Sequence, residues 1–279
     1  MRILPVLAGV AAALVSMPAC AQDATQDSVL DGDHVTIGVG GIYNSTYRGS
    51  DDYRVSPVPV VQGQLAGIGI NPRAGGLALD FIPDAKDAKI GFSLGPVATY
   101  SGNRANGIKD RVVRAAGKLD EAVEVGVNAG VTAYKLLNPY DSLTLSADVK
   151  WDVAGAYKGM VWVPSISYVT PVSRGAFVAA NVNAHRGDGK FSRYYYSVTP
   201  VQSAASGLPV YNARKGWDSV GGGLLVGVDL DGNLLNGGFA VFAAGGYSKM
   251  LKSGKNTPYT SIRGDADQWV GGVGVAYTF

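Results

Sequence analysis

Few residues in this 279-residue chain have the types and spacing that chemistry needs. Asp51 and Asp52 come first. A carboxylate pair can do acid–base work or hold a cation, but neighbours on an extended chain point to opposite sides. They converge only if a turn brings them together, and a turn role is the plainer reading. His185 is second, within Ala184-His185-Arg186-Gly187-Asp188-Gly189-Lys190. With Asp188 and a serine it would make a hydrolase triad, as in a barrel lipase. No Gly-x-Ser-x-Gly turn accompanies it and no spacing marks a serine partner, so it reads as a loop histidine in solvent. Arg186-Gly187-Asp188 spells an adhesion tripeptide, too short to weigh against chance. Ser253-Gly254-Lys255-Asn256-Thr257 lacks the upstream glycine of a phosphate loop, and Asn256 separates Lys255 from Thr257, so it reads as a loop. The only cysteine is Cys20 and the only histidines are His34 and His185. No thiolate metal site or cysteine nucleophile can be built. Neither a catalytic constellation nor a cofactor or metal site is expected, and the chain reads as non-enzymatic.

The elements that would position these residues begin after a leader. Arg2, the apolar run Ile3 to Val15 and the small residues of Ala19-Cys20-Ala21 make residues 1–21 a secretory signal peptide, with cleavage expected before Gln22. Residues 22–279 are expected to form one domain. Glycine is abundant, 39 of 279 residues, roughly twice the usual share, without a collagen period. Charged residues make up 16%, against about 25% in ordinary soluble domains. The formal net charge of +2 is too small for a nucleic-acid partner. After the leader no stretch approaches 18 uninterrupted apolar residues. A membrane-like composition without a membrane helix leaves a closed β-barrel.

Period two runs through the chain. Val35, Ile37, Val39, Gly41 and Tyr43 alternate with Thr36, Gly38, Gly40 and Ile42. Val123 to Ala133, Leu143 to Trp151, Leu224 to Leu230, Phe239 to Tyr247 and Trp269 to Phe279 repeat the pattern. Shorter runs lie at Leu77–Phe81, Ile90–Leu94 and Trp162–Tyr168. These predict an all-β, transmembrane antiparallel barrel of 10–12 strands. A large soluble sandwich is the competing architecture, and alternation alone does not separate the two. Tyr43, Tyr47, Tyr100, Tyr134, Trp151 and Tyr247 near strand ends suit an interfacial girdle. The segments 101–120, 184–190, 200–218 and 251–267 are expected as extracellular loops. Glu121, Glu124, Asp148, Lys150 and Asp229 fall in strand-like runs. A cation facing mid-bilayer lipid costs about 2–4 kcal/mol, so most such charges should face the lumen or an interface. They would there line a passage or interlock to plug it.

Two segments are more specific. One is Tyr47-Arg48-Gly49-Ser50-Asp51-Asp52-Tyr53, continuing to Pro57 and Pro59. The other is Tyr194-Tyr195-Tyr196-Ser197-Val198-Thr199-Pro200, continuing through Ser203, Gly207 and Tyr211. With the terminal Tyr277-Thr278-Phe279 they resemble the MipA/OmpV family of outer-membrane proteins. The resemblance implies a bacterial outer-membrane barrel and a scaffolding role between a lytic transglycosylase and a peptidoglycan synthase. It carries no catalytic residues. Read by themselves, Gly49 permits a positive φ and Asp51 and Asp52 cap the turn. Pro57 and Pro59 remove ladder donors, so their strand should be distorted or partly unpaired. Tyr194 to Tyr196 should put rings on both faces of a strand. Ser203 to Tyr211 reads as a structured loop folded into the barrel mouth.

The last strand, Gln268 to Phe279, should close the barrel on the strand starting near Val35. Its aromatic end, Tyr277 and Phe279, resembles the signal read by barrel assembly machinery. The partners so expected are outer-membrane lipid, that machinery and, through the resemblance, the two cell-wall enzymes. The favoured function is a scaffold. A small-solute channel is the alternative, and a surface adhesin or barrel lipid hydrolase follows.

Overall fold

The computed structural model describes residues 28, 29 and 32–279 apart from residue 86; the expected leader lies outside the described residues. The chain forms twelve antiparallel strands: β1 His34–Ser45, β2 Tyr53–Leu65, β3 Ile68–Arg73, β4 Gly76–Asp80, β5 Ile90–Ser101, β6 Ala122–Tyr134, β7 Ser142–Asp152, β8 Met160–Ser173, β9 Ala176–Gly187, β10 Gly216–Asp229, β11 Gly238–Met250 and β12 Asp267–Thr278. Each strand pairs with the next, and β12 returns to β1 from Thr36–Thr278 to Asn44–Val270. Twelve strands match the expected range, and closure runs through the predicted pair.

The side-chain pattern decides between barrel and sandwich. Ile37, Val39, Phe92, Val127, Leu145, Ile166, Leu224, Val273 and Val275 all point outward and are exposed. The opposite face carries Glu124, Asn128, Asp148 and Lys150, all buried. A soluble sandwich hides its apolar faces, whereas this sheet turns them out, as lipid requires. Tyr43, Tyr100, Trp151, Trp162 and Trp269 are exposed near one rim. Tyr47 does not join that girdle. It lies beyond the end of β1 and is only 3% exposed.

Short turns follow β2, β6, β8 and β10, at the end of the barrel that also holds the first residue of β1 and the last of β12. Long connections lie at the other end, which is the extracellular side in barrels of this kind. Those connections fold rather than dangle. They contain α1 Arg111–Ala115, α2 Gly189–Tyr196, α3 Pro200–Ser206, α4 Lys252–Asn256 and α5 Pro258–Ser261. The tyrosine run is therefore helical, not a strand. Asp188 accepts a hydrogen bond from the Phe191 N–H at 2.8 Å and starts α2. Helical spacing then turns Phe191 and Tyr195, four residues apart, into one apolar core.

Pro57 and Pro59 do leave β2 unpaired, but on one side only. β2 pairs with β1 from His34–Gln64 to Ser45–Tyr53, while it meets β3 only at Gly63–Ile70, Gln64–Gly69 and Leu65–Ile68. The segment 184–190 is mostly not a loop, because β9 continues to Gly187. β10 likewise starts at Gly216, inside the predicted loop 200–218.

Candidate functional site

The candidate site is the outer mouth of the barrel, over which the long connections pack, and the polar lumen beneath it. Two apolar cores hold these connections together over the mouth. One joins Phe191, Tyr195, Tyr196 and Ala213 of the long connections to Val161 on β8 and Met250 on β11. The other gathers Tyr47, Ile108, Val113, Val198, Leu208 and Tyr259. Tyr211 packs against both, and its backbone bridges Val198. Arg104 ties them together: it is 1% exposed, donates to the Tyr195 carbonyl at 3.2 Å, and stacks over the Tyr259 ring at 3.7 Å. Such a stack is favourable where the cation is desolvated.

The first motif segment seats this cap on the barrel. Gly49 adopts φ +91°, and an added Cβ would lie 2.1 Å from Thr260 Oγ1. Its N–H donates to Gln268 Oε1 at 3.2 Å, while Gln268 Nε2 donates to the Ser50 carbonyl at 3.0 Å. Gln268 is a lumen-side residue of β12, so one amide side chain holds the turn by two backbone groups. The turn is capped by Ser50 Oγ, which accepts from the Asp52 N–H at 3.1 Å, and not by the aspartate carboxylates. Asp51 is exposed, so the two carboxylates do not form a buried site. Tyr53 stacks on Tyr43 at 5.1 Å, and its hydroxyl accepts from the Trp269 N–H. Tyr47 donates to the carbonyls of Tyr259 and Arg263. Burial pushes its phenol well above the ordinary range, so it stays a donor.

The second segment folds over the mouth; the structured connection expected from Ser203 to Tyr211 is present, whereas the expected tyrosine strand is the end of α2. Thr199 and Gln202 form a reciprocal cap on α3, with Pro200 in its first turn. Ser203 accepts the closing bond from Gly207, which sits at φ +74°. Tyr195 and Tyr196 are each 2% exposed. At the other end of the barrel, Phe239, Tyr277 and Phe279 pack edge to face with centroids 4.7 and 4.6 Å apart, and the Phe279 N–H donates to the Val35 carbonyl.

Beneath the cap, His185 corrects the sequence reading. It lies on β9 with its side chain 14% exposed, not in a solvated loop. Its partner is Asp218 rather than Asp188: Nδ1 lies 2.8 Å from Asp218 Oδ1. Asp218 is the extra residue of a β-bulge in β10, between the register pairs Trp217–Arg186 and Ser219–His185. The bulge turns two successive side chains, Asp218 and Ser219, into the lumen. Arg48 descends from the cap and donates to Asp218 at 3.0 Å and to Ser219 Oγ at 2.8 Å. His185 Nε2 lies 3.3 Å from Arg48, so a cation stands where a triad would need its serine.

The opposite wall carries two more clusters. Lys150 Nζ lies 2.7 Å from Glu124 Oε2 and 2.7 Å from Thr99 Oγ1, and Tyr157 donates to Glu124 Oε1 at 3.0 Å. Arg73 donates to Asp148 at 2.9 Å, and Asn128 adds a bond at 2.6 Å. The strand charges Glu124, Asp148 and Lys150 thus interlock. Asp229 instead accepts from the N–H groups of the β10–β11 turn, and Glu121 accepts from Asn106 at the rim. Spacing alone does not announce the roles of Arg48, Arg104, Asp218 and Gln268, because each depends on which strands meet and in what register. Among the described residues no group of three or more histidine, cysteine or acidic residues could hold a metal.

A closed antiparallel barrel with an outward apolar band, a polar lumen and a folded extracellular mouth defines a bacterial outer-membrane β-barrel protein. The family model described as MltA-interacting protein MipA matches residues 37–279. The chain belongs to that family. Similar solved structures include an outer-membrane channel from Pseudomonas putida F1, at 12% identity, 92% of this chain, 100% of that chain and a TM-score of 0.44. The Pseudomonas putida toluene transporter TodX follows, at 9% identity, 89% of each chain and a TM-score of 0.41. OmpT of Vibrio cholerae is 8% identical over 88% of this chain and 97% of its own, with a TM-score of 0.39. No curated protein sequence matches.

Proposed function

We propose that the chain is a non-enzymatic scaffold that holds a peptidoglycan-remodelling enzyme at the inner face of the outer membrane. The observation that carries this reading is the packed cap, which covers the extracellular mouth with two apolar cores and Arg104 between them. A barrel sealed on the outside is suited to presenting its periplasmic surface. The family description, an interacting protein of a murein enzyme, supports the same reading. In this reading the residues from Tyr47 to Tyr53 and from Tyr195 to Tyr211 seat the cap, and Tyr277 and Phe279 serve assembly. Affinity capture from detergent-solubilised envelopes tests it. Recovery of a lytic transglycosylase, together with a peptidoglycan synthase, is the expected outcome; capture that yields no murein enzyme overturns the proposal.

A second reading, a small-solute channel, is favoured by the charged side chains that line the lumen, among them Arg73, Glu124, Asp148 and Lys150. Planar-bilayer conductance separates the two. A steady open level in the intact protein supports the channel, and silence from a correctly folded barrel supports the sealed scaffold.

A further inference from the structure

The barrel wall has one weak seam, between β2 and β3, and its backbone chemistry is unusual. The Thr46 N–H donates to the Asp52 carbonyl at 2.9 Å, one step beyond the Ser45–Tyr53 pair. By alternation, the even residues of β2 bond to β1 and the odd residues turn their backbone groups toward β3. Those odd residues are Val55, Pro57, Pro59 and Val61, and two of the four have no N–H. The same counting applies to the facing edge. Arg73 and Gly76 close a two-residue turn, so Arg73 and Asn71 bond to β4 and Pro72 turns its nitrogen to the seam. Continuing the Gly63–Ile70 register by two residues would set Pro72 opposite Val61. Three prolines therefore occupy bonding positions on the two facing edges at the place where the ladder stops.

Two further features mark the seam. Gly63, where the pairing with β3 begins, adopts φ +145°, a backbone conformation that favours glycine. Arg73, the only cation on β3, is drawn across the lumen to Asp148 on β7 at 2.9 Å. The cap fastens the top of the seam, where Lys109 Nζ donates to the Tyr53 carbonyl at 2.5 Å.

The seam is apolar on its outer side, and on its inner side Val58 and Val60 form an apolar stretch between Ser56 and Gln62. Val58 and Val60 face inward beside it, paired with the lumen-side Gly40 and Gly38, while Pro57, Pro59, Ile70 and Pro72 turn outward. An open strand edge in lipid is costly because its N–H groups have no acceptor, and the prolines remove those groups. The same loss makes the edge a poor template for another strand. In a bilayer this edge would face the acyl chains of the lipid. With the outer mouth covered, the wall offers the remaining way into the lumen from the outer leaflet.

We propose that the β2–β3 seam is a lateral opening through which an acyl chain of the surrounding membrane enters the lumen. This goes beyond the scaffold reading and does not depend on it. The test uses the full chain with Cys20→Ser, labelled with an environment-sensitive fluorophore at one introduced cysteine and reconstituted in bilayers of lipid brominated in its acyl chains. Val58→Cys places the label inside the lumen at the seam. Ser167→Cys places it inside the lumen on β8, six strands away, and Val39→Cys places it on the lipid face. The expected result is a loss of emission at Val58 comparable to that at Val39, with emission at Ser167 retained. Equal emission at Val58 and Ser167 overturns the proposal. Replacing Pro57, Pro59 and Pro72 together by Val restores three donors and should zip the seam, abolishing the loss at Val58 in barrels that still run as folded on an unheated gel. Unchanged quenching in such folded barrels overturns the role given to the prolines.

Discussion

At the scale of single residues, the lumen is an exercise in satisfying charge. Asp218 is 2% exposed and accepts from Arg48 and His185 at once. Asp218→Asn keeps the shape but leaves the half-buried Arg48 without its anion, and stripping such a hydrogen-bonded charge of its partner costs about 1–2 kcal/mol. Asp188→Asn should cost under about 1 kcal/mol, because asparagine caps a helix nearly as well. Denaturant unfolding in detergent micelles should rank the two variants in that order; the reverse order would mean that His185 leans on Asp188 after all. Acid provides a second residue-level test, in the cap. Burial alone would raise the Asp110 carboxyl, but the Arg263 guanidinium and the N–H groups of Val113 and Val112 outweigh it and hold the carboxyl below the ordinary range. A depressed carboxyl contributes stability above its unfolded value, near pH 4, and loses it as pH falls through the lower folded value. Proteolysis of the segment 103–120 should therefore accelerate on acidification below about pH 4. Asp110→Asn should be cut faster at neutral pH and show little further acid response.

At the scale of elements, what is legible in the sequence follows contrast. β6, β7 and β12 alternate apolar with small or polar residues, and their positions can be read directly. β9 alternates Val178, Ala180, Val182 and Ala184 with Ala179, Asn181, Asn183 and His185, so its outward face is too small to stand out and part of it reads as a loop. The run Tyr194 to Tyr196 is ambiguous by period, and the deciding feature is the cap at Asp188 three residues before Phe191. The Asp218 bulge is invisible without the β9–β10 register, which is why the partner of His185 could not be named from spacing. The turn after β1 was legible, since Gly49 does require a positive φ. Gly49→Ala adds backbone strain of about 1–3 kcal/mol and a clash with Thr260, both confined to the cap. The expected outcome is faster proteolysis of the connections around α4 and α5 with the barrel's folded gel mobility retained. Loss of the folded band would show instead that this turn is needed for strand assembly.

At the scale of the whole molecule, closure of the wall and cover of the mouth are separate achievements. Closure belongs to β1 and β12, paired from Thr36–Thr278 to Asn44–Val270, and it leaves the first and last strands no free edge against each other. Unheated protein should accordingly migrate differently from boiled protein on a detergent gel, and identical migration would contradict a closed barrel. The cover over the outer mouth belongs to connections outside the ladder, and it can be removed without cutting a strand. Gly187 and Gly216 already face each other in register, so a tight Asn-Gly turn can replace residues 188–215 and take α2 and α3 away. That deletion strips Phe191, Tyr195, Tyr196, Val198 and Leu208 from the two apolar cores and the Tyr195 carbonyl from Arg104. The Glu124–Lys150 and Arg73–Asp148 pairs stay on the walls, since both are held by strand residues. The shortened barrel should therefore keep its heat-modifiable mobility while its single-channel conductance rises from a silent baseline to discrete openings. If the intact protein already conducts, the cap is not the seal. If the shortened barrel folds and stays silent, the wall charges themselves close the lumen.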